Sequence, residues 1–355
     1  MREYYHKDLD KLVEFIKPDI LWRNDICDMD DIQKELEIIR HRSRPETRLL
    51  ITYYNHLWEP VLNLASFLGF KRKVGIQNWL DDNDIRNLCK LSSWEVITSQ
   101  KRFLFPPLIE WIVARPINYK RIEYSVSIII PARNESENIK VILKKIPRFG
   151  KSQEIIFVEG NSTDNTWNEI MKIKGVKCFK QKGKGKGDAL RLGFSKATGD
   201  ILMILDADMT VDPRELPKFY EAIASEKGEF INGCRLVYPM EHQAMQTLNM
   251  FGNMLFGWLF TRILGQRFKD TLCGTKVLFR KDYQKIIKNR KFFGDFDPFG
   301  DFDLIFGAVK LNLKVIEIPI RYKERKYGST NISRFKHGIL LLKMTWLAFR
   351  KFKSW

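Results

Sequence analysis

Glycine is nearly absent from the first third of this chain. Residues 1–120 contain two, Gly69 and Gly75, and neither lies in a GxGxG turn. Such a turn lets the backbone of a Rossmann-type strand end approach a cofactor closely, so its absence argues against cofactor binding in this stretch. Cysteine is also sparse: Cys27, Cys89, Cys178, Cys234 and Cys273 are widely spaced, with no CxxC pair. That spacing argues against a disulfide framework or a zinc site and fits a reducing compartment. Cys234 and Cys273, in apolar contexts, read as core residues. No apolar run is long enough to span a bilayer, and no leader-like segment is recognised. Acidic residues are scarce at the end of the chain, where residues 321–355 hold ten Lys or Arg against the single Glu324.

The chain carries a net charge of +18 and a pI near 9.6. The basic residues form no zinc-finger, RNA-recognition or helix-turn-helix pattern, so nucleic acid is not expected as a partner. The basic tail is instead interleaved with GILLLKMTWLAF, residues 338–349. A basic segment displaying Leu341, Trp346 and Phe349 fits a helix lying in an anionic membrane interface. A second segment, FGNMLFGWLFTRIL at 251–264, is apolar on nearly every face and reads as a buried or membrane-dipping helix. Ordinary core packing is the alternative for both. The expectation is a peripheral protein on the cytoplasmic face of a membrane.

The most informative stretch is ILMILDADMT, residues 201–210. Ile201 to Leu205 read as a buried strand that ends in Asp206 and Asp208. Alternate residues of an extended segment point the same way, so both carboxylates can face one ion. Hard oxygen ligands suit Mg²⁺ or Mn²⁺ and, through it, a diphosphate. The alternative is a solvated acidic pair in a loop. Upstream, YSVSIIIPARNESENI and EIIFVEGNSTDNT each place an apolar strand before a polar loop, and KGKGKGDALRLGF puts Gly183, Gly185 and Gly187 among lysines before a helix. Helical segments are expected over 137–146, 165–173 and 188–196. This alternation predicts an α/β fold with a parallel, Rossmann-like sheet.

PARNE, VEGNSTDNT, KGKGKGDALRLGF, DADMT and the late DTLCGTK…YKERKYGSTNIS pair occur in that order between residues 124 and 340. In these blocks the chain resembles an inverting family 2 glycosyltransferase of the GT-A type. The nearest branch is that of the polyprenyl-phosphate (dolichol-phosphate) mannosyl and glucosyl transferases. The resemblance implies a GT-A Rossmann-like sheet with helices on both faces, a nucleotide-sugar donor such as GDP-mannose, UDP-glucose or UDP-GlcNAc, and a polyprenyl phosphate acceptor. It also implies Mg²⁺ or Mn²⁺ on Asp206 and Asp208, with Asp208 at the catalytic centre. Pro131, Arg133 and Glu135 of the first block and Glu159 and Asp164 of the second are implied at the nucleotide. Asp164 is equally well placed as a helix N-cap. Family members more often carry two acids where this chain has Glu159 and Gly160, which leaves the base, uracil or guanine, open. Lys184 and Lys186 are candidates for phosphate contact. Arg235 and Arg325 match arginines used near the phosphates, with Lys276 and Ser329 as lesser candidates.

A lipid phosphate is already an anion near neutral pH and needs no general base. A hydroxyl acceptor on a glycan or glycolipid of the cell envelope would need one. Asp301 and Asp303, in DPFGDFDLIFGA, lie where hydroxyl-glycosylating relatives carry a catalytic acid pair. The QxxRW motif of processive polysaccharide synthases is missing, which argues against a polymerase. A third reading is an inactive nucleotide-sugar-binding module serving membrane assembly.

The first 120 residues form a separate unit in this reading, ahead of a transferase domain over 121–335 and a basic amphipathic helix over 336–355. TRLLITYYNHLWEPVLNLASFLGF and QNWLDDNDIRNLCKLSSWEVITS read as strand, helix, capped helix and strand. Over residues 45–115 this resembles the C-terminal half of a class I, SAM-dependent methyltransferase domain without its cofactor-binding half. A truncated, catalytically inert unit is expected. It would cover the transferase, contact a membrane, or make a homo-oligomer.

Overall fold

The structure is a computed structural model that describes residues 20–44, 47–70, 77–99, 108–117, 121–239, 247–264, 266–288, 290, 300, 302–311, 313–325, 327 and 334–352. Asp301 and Ser329, both singled out above, lie outside the described residues. The chain divides into two compact units, Met1–Tyr119 and Lys120–Trp355.

The first unit contains strands β1 (Ile20–Arg23), β2 (Arg48–Tyr54), β3 (Trp94–Ser99) and β4 (Ile109–Pro116), with helices α1 (Ile32–His41), α2 (Glu59–Phe67) and α3 (Asp82–Leu91). The sheet order is β1-β2-β4-β3. β1 and β2 are parallel, whereas β4 runs antiparallel to both of its neighbours. α1 starts where the Asp31 side chain accepts from Lys34 N at 3.1 Å, and it buries Ile32, Leu36 and Ile39. α3 starts at a reciprocal capping box, Asp84 N to Asp81 at 2.7 Å and Asp81 N to Asp84 at 3.0 Å, and buries Ile85, Leu88 and Cys89. These caps satisfy amides that the first helical turn leaves without partners. α2 differs from both. It buries no residue, and Leu57, Val61, Leu64, Phe67, Leu68 and Phe70 on and beside it are all exposed.

The second unit is a seven-stranded sheet of β5 (Ser125–Ala132), β6 (Ser152–Glu159), β7 (Lys177–Lys180), β8 (Ile201–Ile204), β9 (Phe230–Cys234), β10 (Lys276–Phe279) and β11 (Val315–Pro319). Its order is β11-β9-β10-β8-β5-β6-β7. The helices are α4 (Ser136–Lys145), α5 (Thr166–Met171), α6 (Lys186–Lys196), α7 (Leu216–Ala224), α8 (Thr247–Leu264), α9 (Arg280–Lys288), α10 (Phe302–Lys310) and α11 (Arg334–Phe352). This is a mixed α/β arrangement. The expected parallel run is present as β8-β5-β6-β7, and β11 is parallel to β9. β10 departs from it, running antiparallel to both β8 and β9. The chain leaves β9, passes through α8, and re-enters the sheet from the end it left. A parallel β10 would require a crossover back to the starting end.

β8 is apolar because every residue from Ile201 to Ile204 is buried. α6, α8, α10 and α11 share one hydrophobic cluster that includes Phe194, Phe256, Phe260, Phe302, Phe306, Leu341, Met344 and Ala348. Leu341, expected on a membrane-facing side, is therefore a core residue. The i, i+3, i+7 spacing of 341, 344 and 348 forms the stripe of α11 that meets α8. The opposite side leaves Ile339, Leu342, Trp346 and Phe349 exposed, with Trp346 and Phe349 stacked at 5.9 Å between ring centroids. α8 likewise exposes Met254, Leu255 and Trp258 while burying Asn253, Phe256 and Phe260. Among the described residues no helix is long and apolar enough to cross a membrane.

Candidate active site

β8, β5 and β6 lie side by side and parallel, so the polar loops that follow them open on one edge of the sheet. Each loop turns sharply through one left-handed residue: Asn134 at φ 56°, Asn161 at φ 59° and Met209 at φ 61°. Asparagine accepts that conformation readily. Methionine does not, and the strain at Met209 sits between the two expected metal ligands and their cap.

The first two loops are tied to each other. Asn134 N donates to Ser162 Oγ at 3.0 Å, Thr163 N to Asn134 Oδ1 at 2.9 Å, and Glu135 N to Thr166 Oγ1 at 2.8 Å. Asp164 accepts from Thr166 N at 3.0 Å and from Ser136 N at 3.3 Å, so both of its oxygens hold the loop and the start of α5. It stands one residue before the N-cap of α5, which is Asn165. Glu159 is buried at the end of β6 and accepts from Ser162 N. At Gly160, where the family pattern more often has a second acid, a Cβ would lie 3.2 Å from Arg133 Cβ, a tight contact. Pro131 is the last residue but one of β5, and Arg133 is exposed on the loop after it.

The glycine-lysine loop is held rather than loose. Gly183 N donates to Asp188 Oδ2 at 3.1 Å, and Gly183 O accepts from Asn161 Nδ2 at 3.1 Å. A side chain at Gly183 would collide with Asp188, its Cβ falling 2.6 Å from the carboxylate. Gly185, at φ 85°, caps α6, which starts two residues earlier than expected and so places Lys186 at its first position. Lys184 is exposed. Lys186 Nζ lies 2.8 Å from Asp206 Oδ1.

The loop after β8 is closed by a segment more than a hundred residues further on. Val211 forms an antiparallel bridge with Tyr322, and Lys323 N donates to Thr210 O at 2.9 Å. Lys323 Nζ lies 3.1 Å from Asp212 Oδ2, and Arg214 holds the same carboxylate through Nε at 3.0 Å and Nη2 at 2.7 Å. Arg325 then reaches Asp208 Oδ2 at 2.8 Å and Glu135 Oε1 at 3.4 Å. Asp208 also accepts from Thr210 Oγ1 at 2.7 Å and Thr210 N at 3.1 Å. Burial works against the Asp208 charge, but Arg325 and Thr210 outweigh it and hold its carboxyl below the ordinary range. Glu135 moves the other way: burial raises it, despite Asn138 at 2.6 Å and Arg325. Glu135, Asp206, Asp208, Lys186 and Arg325 are thus brought to one edge of the sheet.

Gly274 completes the floor. A Cβ there would lie 1.9 Å from Asp206 Oδ2 and 2.6 Å from Lys186 Nζ, so any side chain would have to push these two groups aside. Among the described residues no group of three or more His, Cys, Asp or Glu is placed to hold a metal. Asp206 and Asp208 are hard oxygen donors at one strand end. They fit a Mg²⁺ or Mn²⁺ that completes its shell with diphosphate oxygens and water.

Three expected site residues are engaged by partners outside this cluster. Arg235 is buried and grips Asp270 through Nε at 2.7 Å and Nη2 at 2.8 Å, with its guanidinium 5.0 Å from the Tyr322 ring centre. Its place is beneath the strap that carries Arg325. Lys276 is wholly buried and donates to Cys273 O. Asp303, in the first turn of α10, pairs with Arg290 at 2.8 Å and has Arg191 at 4.0 Å. It lines a small depression with Gly187, Tyr283 and Gly300. The residues missed from sequence are Asp212, Asp270, Gly274, Glu317, Tyr322 and Lys323. Asp270, Gly274, Tyr322 and Lys323 lay inside the late motif blocks, but their partners are distant in the chain.

Residues 127–287, a little under half of the chain, match the family model described as "Glycosyl transferase family 2". The chain is 36% identical over 104 residues to the dolichol-phosphate mannosyltransferase of Pyrococcus furiosus, covering 28% of this chain and 30% of that protein. It is 27% identical to glycosyltransferase AglJ of Haloferax volcanii, over 60% of this chain and 68% of that one. It is 25% identical to the undecaprenyl-phosphate 4-deoxy-4-formamido-L-arabinose transferase of Edwardsiella ictaluri, over 63% and 66% respectively. The matched part thus spans under a third of the first of these relatives and about two thirds of the other two. A solved structure, glucosyl-3-phosphoglycerate synthase from Mycobacterium tuberculosis, aligns at 16% identity and TM-score 0.47 over 64% of this chain and 80% of that one.

Proposed function

We propose that the protein transfers a sugar from a nucleotide sugar to a polyprenyl phosphate, with inversion at the anomeric carbon. The observation that carries this reading is the convergence of Glu135, Asp206, Asp208, Lys186 and Arg325 at the ends of β5, β8 and α6. Glu135 and Glu159 accept hydrogen bonds from the nucleoside, and Asp206 and Asp208 hold Mg²⁺ or Mn²⁺. When bound, that cation supplies Lewis acidity to the departing diphosphate. Lys186 and Arg325 carry the positive charge that steers two anionic partners together. No residue has to remove a proton, because the acceptor arrives ionised.

The names of the relatives from Pyrococcus furiosus and Edwardsiella ictaluri, which include dolichol phosphate and undecaprenyl phosphate, support a lipid phosphate acceptor. So does the engagement of Asp303 with Arg290, which turns this candidate base toward a cation. The exposed Trp258, Trp346 and Phe349, beside exposed Arg262, Lys343 and Arg350, suit an anionic membrane interface where such a lipid resides. The first unit is read as a remnant of a methyltransferase-like domain with a structural use.

The test is turnover of UDP- and GDP-sugars with Mg²⁺ or Mn²⁺, with and without a short polyprenyl phosphate in anionic vesicles. Labelled sugar should appear on the lipid only when lipid, donor and metal are all present. Nucleotide release without glycosylated lipid would favour a hydroxyl acceptor. No turnover with any donor would favour a binding module.

A further inference from the structure

Each carboxylate assigned above to a divalent cation already has a cation of the chain itself. Lys186 Nζ sits 2.8 Å from Asp206 Oδ1 and 3.1 Å from Oδ2. Arg325 Nη2 sits 2.8 Å from Asp208 Oδ2 and 3.4 Å from Glu135 Oε1. An oxygen whose lone pairs are directed at an ammonium or guanidinium is a poor ligand for a second cation. A dication placed beside either side chain would also be repelled by its positive charge. Both side chains have somewhere to go. Lys186 opens α6 directly after the left-handed Gly185. Arg325 extends from a strap anchored by backbone at Tyr322 and Lys323, so its side chain can swing while those bonds hold.

We propose that Lys186 and Arg325 are internal counter-ions that give up Asp206 and Asp208 to the divalent cation and turn to the phosphates instead. The exchange rests on the metal-dependent transferase reading for the identity of the site. Charge stays balanced through it. Two carboxylates paired with two side-chain cations become two carboxylates on the metal and two cations on the diphosphate or acceptor phosphate. Each ligand thereby removes the obstacle to the other, and metal and nucleotide binding are positively coupled. Arg325 extends that coupling to Glu135, so that filling the nucleoside pocket also loosens its hold on Asp208.

The experiment is titration of Mn²⁺ alone, followed by its electron paramagnetic resonance signal, into the full-length chain without nucleotide. Lys186→Gln and Arg325→Gln should each bind Mn²⁺ roughly tenfold more tightly than the unaltered protein. Lys186→Arg and Arg325→Lys, which keep the charge, should stay close to it. With a nucleoside diphosphate present the order should invert, because the neutral variants lack the cations that receive the phosphates. Mn²⁺ binding that is unchanged or weaker in both neutral variants, while Mn²⁺ still binds with nucleotide, overturns the exchange and leaves the transferase reading standing. Failure of Mn²⁺ to bind any of the five proteins, with or without nucleotide, overturns both. If Arg325→Gln does not fold, as judged by circular dichroism, the increase in Lys186→Gln decides alone.

Discussion

Arg235 and Arg325 both hold an aspartate, and the two pairs are built for different ends. Arg235 meets Asp270 through two parallel bonds, with the side chains 10% and 0% exposed. Asp270 also accepts from Asn253 Nδ2 at 2.8 Å, Arg235 N at 2.9 Å and Leu272 N at 3.1 Å. Burial opposes the Asp270 charge, but Arg235 and these donors bring its carboxyl down to about 2. Arg325 offers one nitrogen to Asp208 and shares it with Glu135, at 23% and 17% exposure for the arginine and Asp208. The first pair is closed on every side and holds the architecture beneath the strap. The second faces the edge where ligands arrive. An ion pair is a structural brace when its remaining hydrogen-bonding capacity is filled from within, and an exchangeable one when it is not.

The comparison can be broken by removing one aspartate from each pair. Asp270→Ala leaves a buried, unpaired guanidinium and should cost ~3–5 kcal/mol of stability, read from urea unfolding. Asp208→Ala should cost less than ~1 kcal/mol in the same measurement. Its effect should appear in turnover, as a loss of roughly 10²–10³-fold. An Asp208 variant that unfolds as readily as the Asp270 variant would erase the distinction.

Titration sharpens it. Glu317, on β11 beside Asp270, accepts from Lys269 N at 2.9 Å and Asp270 N at 3.1 Å, yet burial and the Asp270 charge push it up to about 7. Its folded-state value lies above the ordinary carboxylate range, so its contribution is full below about pH 4.5 and is lost as pH rises through 7. The loss is on the order of 3 kcal/mol. Glu317→Gln should flatten that slope in unfolding measured from pH 4 to 8. The smallest expected effect is that of Gly274→Ala. Its methyl group forces Asp206 aside at ~1–3 kcal/mol, within the range of overpacking, and should weaken Mn²⁺ binding without altering the Asp270 network.

What could be read from the sequence was local. Apolar runs ending in acids located β5, β6 and β8 and their loops, because a buried strand and the loop after it are contiguous. α6 and its glycine loop were legible for the same reason. The resemblance supplied Arg325, and the structure places it on Asp208. It also supplied Arg235, whose partner Asp270 is 35 residues away. Nothing in the neighbourhood of Arg235 distinguishes a brace from a phosphate ligand. Lys323 and Asp212 are 111 residues apart, and Glu317 and Asp270 are 47 apart. Such pairs follow from the antiparallel re-entry of β10 and the return of β11 beside β9, which no periodicity of the chain encodes. Leu341 shows the same limit on a smaller scale. Amphipathicity predicted a helix there, but only the packing of α8 decided which stripe is core.

The strap from Tyr322 to Arg325 also sets a clock. Arg325 is 117 residues downstream of Asp208. At ~5–20 residues per second, the ribosome makes the arginine roughly 6–23 seconds after the aspartate. During that interval the β8 loop lacks the bridge to Tyr322 and the bonds from Lys323, and Met209 must hold its left-handed turn without them. The nascent chain therefore carries most of its sheet before Arg325 can reach Asp208, and until then that carboxylate lacks this counter-ion.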